Sequence, residues 1–333
     1  MIKVDFCLPR SIRVKLNSGC QYKCKFCHQE GNAKARDISH DELLRAMDVL
    51  KKKLGFYRIH FTGGEPTLYE KFAELLRKTK KAGFINALTS NGQFKSELLP
   101  LLKKSGLDSI NFSLHTLDSK SFLEIQNISL DSKFGIKWAE NCINRTSDNI
   151  IRAHKTIKTK VNCVVGDDIV SPQRILNYCK KNNVKLRLLN NLGSVAAINN
   201  IEKILRRNNA KLSGHEITFV SSSHRLDYKI GSYEFGVKCI RPFFLESMCK
   251  DCELRKSNKC LEGFYGIRLE NSPLMVRLCL NKSGKPYVQR FKQFLKSDQL
   301  KEISQLMINA MKYLKKDTLI GEQKNRYKSK NKF

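Results

Sequence analysis

The chain has 333 residues, an apolar fraction of 41% and a formal net charge of +31. That length allows one large domain, or a domain with a smaller module, around a sizeable core. No uninterrupted apolar run of about 18 residues occurs, so no membrane span is expected, and the opening Met1 to Phe6 lacks the apolar stretch of a secretion signal. Apolar, β-branched runs at 12–16, 57–61, 84–88, 109–113, 158–165 and 184–189 read as strands. Helical patterns fall between them at 41–54, 69–81, 95–104, 135–144 and 171–182. This alternation predicts an α/β fold with a parallel sheet. Six such units are too few to close an eight-stranded barrel and suit an open partial (β/α)6 barrel of the TIM type. After about residue 195 the rhythm stops. A helix at 199–207 leads to short alternating runs at 216–220, 226–230 and 233–237, a cysteine-rich segment and a final helix at 300–314. The reading is a core over 1–195, a C-terminal cysteine-rich module over 196–320 and a basic disordered tail over 321–333.

The positive charge would attract polyanions such as nucleotides or nucleic acid. Basic residues are spread along the whole chain and thicken over 312–332, which fits solvated faces and a lysine-rich bias better than a nucleic-acid surface.

Twelve cysteines, grouped at short spacings and with no secretion signal, point to metal binding in a reducing cytoplasm rather than to disulfides. Cys20, Cys24 and Cys27 follow the first strand with the spacing C-x3-C-x2-C. A four-iron cube normally takes one thiolate per iron, so three cysteines leave one iron open to a ligand. A zinc site with His28 as fourth ligand is the competing reading. Gly63-Gly64-Glu65-Pro66 follows the second strand, where glycines permit close backbone approach and a carboxylate can accept from an ammonium. Thr89 and Asn91 lie at the end of the third strand, Ser113 and His115 at the fourth, and Asn190-Asn191 at the sixth. Loops after the strands form the active face of α/β barrels, so motifs and topology agree on one face.

A second group contains Cys249, Cys252, Cys260 and Cys279, with Cys239 as a spare or alternative ligand. Four thiolates would fill every iron of a second 4Fe-4S cube; a zinc knuckle is the alternative. Cys7, Cys142, Cys163 and Cys179 sit in or near apolar patterns and read as small buried hydrophobes. Arg13, on the first strand, is either a contact for a phosphate or carboxylate or a solvated residue. His115 is a weak candidate acid/base group.

The cysteine triad together with Gly63-Gly64-Glu65-Pro66 resembles the radical S-adenosylmethionine (radical SAM) enzymes. Ile12-Arg13-Val14, Leu88-Thr89-Ser90-Asn91-Gly92, Ser113-Leu114-His115-Thr116-Leu117-Asp118, Lys160 to Val165 and Ile267-Arg268-Leu269 extend a resemblance to the molybdopterin-precursor GTP cyclases and their relatives over about residues 10–290. The resemblance implies a partial barrel and a 4Fe-4S cluster on Cys20, Cys24 and Cys27 whose open iron chelates SAM. It also implies that Gly63, Gly64 and Glu65 hold the SAM amino group, with Thr89, Asn91 and Ser113 as further contacts. Reductive cleavage of SAM then gives a 5′-deoxyadenosyl radical that takes hydrogen from a small molecule, whether anionic or neutral. The electron donor would be a flavodoxin or ferredoxin, and Cys249, Cys252, Cys260 and Cys279 would hold an auxiliary cluster. The chain departs from the cyclases in three respects. It offers four or five auxiliary cysteines where they have three, has His115 where they have Asp, and ends Asn331-Lys332-Phe333 where they have Gly-Gly. GTP is therefore expected to be a poor substrate, and a nucleotide, sugar or natural-product precursor is the expected class. A GTP cyclase of molybdenum cofactor biosynthesis, an RNA-modifying radical SAM enzyme and a non-catalytic iron–sulfur protein are the other readings.

Overall fold

The computed structural model describes residues 2–27, 38–129 and 133–330, so His28 lies outside the described residues. The strands are β1 (Lys3–Cys7), β2 (Ser11–Lys15), β3 (Arg58–Thr62), β4 (Ile85–Ser90), β5 (Leu107–Ser113), β6 (Lys158–Val165), β7 (Lys185–Asn190), β8 (Lys211–Thr218), β9 (Ser223–Ile230), β10 (Tyr233–Ile240), β11 (Arg268–Glu270), β12 (Met275–Arg277) and β13 (Val288–Arg290). All belong to one sheet in the order β1-β8-β9-β10-β7-β6-β5-β4-β3-β2-β11-β12-β13.

Strands β2 to β7 pair in parallel and in sequence order. They are the six expected strands, curled into an open partial barrel. Helices α1 (His40–Leu54), α2 (Phe72–Lys81), α3 (Leu98–Lys104), α4 (Ser119–Gln126), α5 (Lys133–His154) and α6 (Val170–Lys181) lie in their crossovers, and α7 (Ala197–Arg207) follows β7. The outward-facing residues explain the arrangement. Ile12, Val14, Ile59, Phe61, Val161, Cys163, Leu186 and Leu188 alternate along the strands and are buried, as are Leu43, Met47, Leu50, Leu75, Leu76 and Ile175 of the helices. Each such side chain contributes about 1.5–3 kcal/mol on burial.

The C-terminal part extends both edges of this sheet. On one side β10 joins β7 in parallel, β9 and β8 follow antiparallel, and β1 closes the edge on β8. On the other side β11 pairs in parallel with β2 and continues through β12 to β13. Short helices α8 (Glu246–Cys249), α9 (Glu253–Lys256) and α10 (Phe291–Phe294) carry or flank the second cysteine group.

Several expectations need correction. Strands β1, β11, β12 and β13 and helix α4 were not foreseen; the four strands are only three to five residues long, and β1 and β11 join the sheet on partners from distant sequence. The expected helix at 135–144 runs over Lys133–His154, and the strand placed at 216–220 ends at Thr218. Cys7 is half-exposed on edge strand β1 rather than buried, its Sγ 3.5 Å from the Thr218 hydroxyl; Cys142, Cys163 and Cys179 are buried as expected. The final helix, α11, spans Asp298–Lys330, longer at both ends than the expected 300–314 and running through Gly321. Lys, Glu, Gln and Arg are good helix formers, and one glycine costs a helix only about 1 kcal/mol.

Candidate active site

The cysteine loop follows β2 and is pinned to the Gly-Gly turn that follows β3. Gly64 N–H donates to the Asn17 carbonyl (3.0 Å) and Glu65 N–H to the Gly19 carbonyl (2.7 Å). The Asn17 side chain donates to the Glu65 carbonyl (2.9 Å). A Cβ on Gly64 would fall onto the Gly19 carbonyl, and one on Gly63, at φ +153°, would stand 2.6 Å from Asn17 Oδ1. Only glycine permits this approach at both positions.

Glu65 is 1% exposed, lies in the wall shared with the three thiols and is held by hydrogen bonds from the protein. Its Oε1 accepts from the Thr67 N–H (3.1 Å), the Thr67 hydroxyl (2.7 Å) and the Ser90 hydroxyl (2.8 Å), and its Oε2 from the Asn91 N–H (2.7 Å). Burial raises its pKa while these bonds oppose the rise. The carboxylate therefore ties the turn after β3 to the end of β4. Asn91 in turn donates to Gln21 Oε1 (3.0 Å) and lies 3.8 Å from Cys20 Sγ.

The three thiols face one chamber of about 220 Å³ whose wall includes Gly63, Gly64, Thr89, Asn91, Ser113 and His115. The structure thus brings the candidate residues from four strand ends together. Burial raises the Cys20 thiol, and the neighbouring Glu65 and Cys27 add to the rise; Cys24 is pushed up to about 11 by burial, with Cys27 and Cys20 contributing. Such thiols need a cationic centre to be held as thiolates. Gln126, at the end of α4, donates to Cys24 Sγ at 3.2 Å and accepts the Lys23 N–H at 2.8 Å. Sequence reasoning missed this positioning residue because nothing local marks it. Among the described residues no three His, Cys, Asp or Glu side chains converge on a single-ion site. A cube takes one thiolate per iron, so its ligands stand around its perimeter, and three mutually coupled thiols on one chamber fit that group.

His115 is pulled down to about 4 by burial. Its Nδ1 accepts the Val164 N–H at 3.1 Å, and its ring meets Phe26 edge-on at 4.7 Å. It is a neutral imidazole with its proton on Nε2, a donor rather than a base. Thr89 pairs with His60, hydroxyl to Nε2 at 2.7 Å.

A second chamber, about 280 Å³, adjoins the first and shares Cys27, Gly63, Thr89, Ser113 and His115 with it. Its wall carries Arg13, Arg187, Lys238 and Arg268 against a single carboxylate, Glu262, among the described residues. Arg13 therefore faces the barrel interior. Tyr265 lies under two cations, 4.1 Å from Lys238 Nζ and 5.4 Å from Arg13 Cζ to its ring centre. Burial would raise its pKa, but Lys238 and Arg13 outweigh burial and bring it down to about 7. Of these residues only Arg13 was singled out from sequence. The missed signal is one polar residue at every second position of an apolar strand, as in Val161-Asn162-Cys163 and Leu186-Arg187-Leu188.

In the second cysteine group, burial pushes Cys249 up to about 11, with Cys279, Cys252 and Cys260 adding to the rise, so four thiols share one locality. Cys252 shifts downward: burial opposes, but N–H groups of Arg255 and Leu254 at the start of α9 prevail. Cys239 is raised by burial alone and sits on β10 opposite His224, apart from the four.

The radical SAM superfamily profile matches residues 14–172. The probable GTP 3′,8-cyclase of Sulfolobus acidocaldarius is 32% identical over 123 residues, 37% of this chain and 39% of that protein. Its counterpart in Sulfurisphaera tokodaii is 35% identical over 131 residues, 38% of this chain and 42% of that protein. The chain thus matches only about two fifths of the length of these curated relatives. Streptococcus suis SuiB, solved alone and bound to S-adenosylmethionine, shares the fold at TM-score 0.55 and 16% identity, over 88% of this chain and 65% of that one. Residues 14–172 are a radical SAM domain. Within that superfamily the chain is similar to the GTP 3′,8-cyclases.

Proposed function

We propose that this protein is a radical SAM enzyme acting on a small molecule held in the basic chamber behind the cysteine loop. The observation that carries the reading is the docking of Gly63-Gly64 on the Asn17–Gly19 backbone, which fixes three thiols and four strand ends around one chamber. Cys20, Cys24 and Cys27 would hold a 4Fe-4S cluster and the Gly63-Gly64 backbone, Thr89, Asn91 and Ser113 would hold SAM. Bound together, these groups supply reductive carbon–sulfur cleavage and a hydrogen-abstracting 5′-deoxyadenosyl radical. The chain's own residues do the rest. Glu65 fixes the Gly-Gly turn against Asn91, Gln126 and Asn91 orient Cys24 and Cys20, and the Nε2–H of His115 donates a hydrogen bond into the chamber. Arg13, Arg187 and Lys238 supply the attraction for an anionic substrate.

Cys249, Cys252, Cys260 and Cys279 would hold an auxiliary four-iron cluster with no open corner, serving electron transfer or the integrity of the C-terminal part. A flavodoxin or ferredoxin is the proposed electron source. GTP is the second substrate reading, favoured by the similarity to GTP 3′,8-cyclases. The test is anaerobic reconstitution with iron and sulfide, followed by SAM and a reductant, reading 5′-deoxyadenosine with and without GTP. Formation of 5′-deoxyadenosine that disappears in Cys24→Ala supports the proposal. None from the fully reconstituted protein overturns it, and a cyclised GTP product would favour the second reading.

A further inference from the structure

The cations of the basic chamber converge on one phenol. Lys238 on β10 and Arg13 on β2 are separated by five strands in the sheet order. Yet Lys238 Nζ lies 4.1 Å and Arg13 Cζ 5.4 Å from the centre of the same Tyr265 ring. Tyr265 therefore spans the bore of the curled sheet. Its segment is held from two directions. The Arg13 N–H donates to the Ile267 carbonyl (3.2 Å), and the Ser221 hydroxyl donates to the Tyr265 carbonyl (2.8 Å). The phenol itself reaches the Ser223 hydroxyl on β9 at 3.4 Å.

The charges around this ring do not balance without it. Arg187 on β7 and Arg268 on β11 line the same chamber, and Glu262 is the one carboxylate in its wall among the described residues. Arg13, Arg187 and Lys238 make no ion pair with a carboxylate among the described residues, whereas Arg225 on β9 is met by Glu216 (3.0 Å) and Asp227 (2.9 Å). Uncompensated buried charge is costly. His60 and His115 are kept neutral by burial, and Lys160 on β6 can add only positive charge. Tyr265 remains. Burial lowers both Arg187 and Lys238, and Tyr265 is the charge that most offsets that cost at each. The same coupling brings the phenol itself to about 7 against the effect of burial.

Resting on the proposed activity, we infer that Tyr265 is the chamber's own counter-anion, and that an anionic substrate takes its place beside Lys238, Arg13 and Arg187 while the phenolate recovers a proton from solvent. Binding is then an exchange. One anion enters, one proton is taken up, and no covalent bond of the substrate changes. Above pH 7 the protein must surrender a stabilised phenolate, so anion affinity falls about tenfold per pH unit; below pH 7 the phenol already holds its proton and affinity is level. A neutral sugar or nucleoside would leave the phenolate in place and bind without this dependence.

The probe is sulfate, whose charge does not change across the neutral range. The anaerobically reconstituted full chain is titrated at constant ionic strength about one pH unit above and one below 7, with tyrosinate absorption and calorimetry read together. On the alkaline side sulfate should remove the tyrosinate absorption and take up about one proton, read from the dependence of the heat on buffer ionisation. On the acid side it should bind about tenfold tighter. Tyr265→Phe should lose most of this pH dependence and, on the alkaline side, bind sulfate about tenfold tighter than the parent. A merely structural phenol would instead lose affinity on both sides. The tyrosinate signal separates Tyr265 from Lys160, which titrates in the same range. Arg187→Gln should weaken sulfate at both pH values and raise the pH at which Tyr265 ionises. Sulfate binding with unchanged tyrosinate absorption overturns the inference, as does equal affinity at the two pH values or the absence of binding to both parent and Tyr265→Phe. Reductive SAM cleavage is scored separately on the same preparation. Cleavage without the exchange defeats this inference alone, and the exchange without cleavage defeats the enzyme reading alone.

Discussion

The two cysteine groups invite comparison because they use the same ligand in different numbers and settings. Cys20, Cys24 and Cys27 stand on a loop at the mouth of the barrel, open to a chamber walled by strand ends. Cys249, Cys252, Cys260 and Cys279 stand on short helices and turns, with Cys279 just after β12 near the β13 edge of the same sheet. The first group is tied to a glycine turn with no room for a side chain, and its neighbours Asn91 and Gln126 reach its sulfurs. The second is tied to the core by burial of Cys249 and by the N–H groups at the start of α9. On the proposed reading, three thiols leave one iron corner free for a second molecule and four leave none, and only the first group is surrounded by fixed polar groups facing a chamber. The second group still bears on the reaction, because the segment after Cys260 brings Glu262 and Tyr265 into the basic chamber.

The largest effect should come from the first group. Replacing Cys20, Cys24 or Cys27 with Ala is expected to reduce 5′-deoxyadenosine to background while the second group keeps its iron, as read by iron quantification and product chromatography. Next is Gly64→Ala, which sets a methyl against the Gly19 carbonyl. It should destabilise the protein by about 1–3 kcal/mol in a denaturant titration and slow SAM cleavage by about a hundredfold, since small misplacements of a reacting site are that costly. The contrast sharpens with Cys249→Ala or Cys260→Ala. These should lower iron content and melting temperature yet leave substrate-free SAM cleavage within a few fold, because none of the four lines the chamber of the first group. Equal loss of cleavage from either group would erase the distinction drawn here.

The smallest expected effect is a titration. Tyr265 should develop tyrosinate absorption around pH 7, and Tyr265→Phe should abolish that component. Lys238→Met should move it upward. The unfolded chain holds the phenol proton up to its ordinary value near 10, so it binds more protons than the fold above pH 7. Stability therefore rises with pH from about 7 and is lost as pH falls through 7. Lys160, lowered to about 7 by burial, acts in the same direction. Denaturant midpoints at pH 7 and slightly above should show the rise, less steep in Tyr265→Phe.

The six central strands and the cysteine triad could be read from the sequence because each is a local pattern: a β-branched run, a fixed spacing, a glycine pair. Glu65 was legible as important but not as to its partners. The pairing of its oxygens with Ser90 and Asn91 depends on where β4 ends relative to β3. The chambers were not legible at all. Arg13 was left open between an anion contact and a solvated residue, and His60, Lys160 and Arg187 were not singled out, because period-two alternation says which residues share a face but not whether that face meets water or the inside of a barrel. Tyr265 and Lys238 join them only through long-range pairing, such as Lys238 opposite Leu189. The terminal strands failed for a simpler reason, since three residues carry no period.

The position of β2 has a consequence for how the chain is made. Arg13 lies between His60 on one side and Arg268, about 250 residues downstream, on the other. At ribosomal rates that partner emerges roughly 10–50 s later. Until then β2 presents an open hydrogen-bonding edge, the kind of surface that recruits other strands. The cationic wall is likewise complete only when Lys238 and Tyr265 have docked. A ribosome that stalls or terminates early on this message would therefore release chains with an intact cysteine loop and a β2 open on one edge, and such chains should be lost to aggregation before their chemistry could be missed.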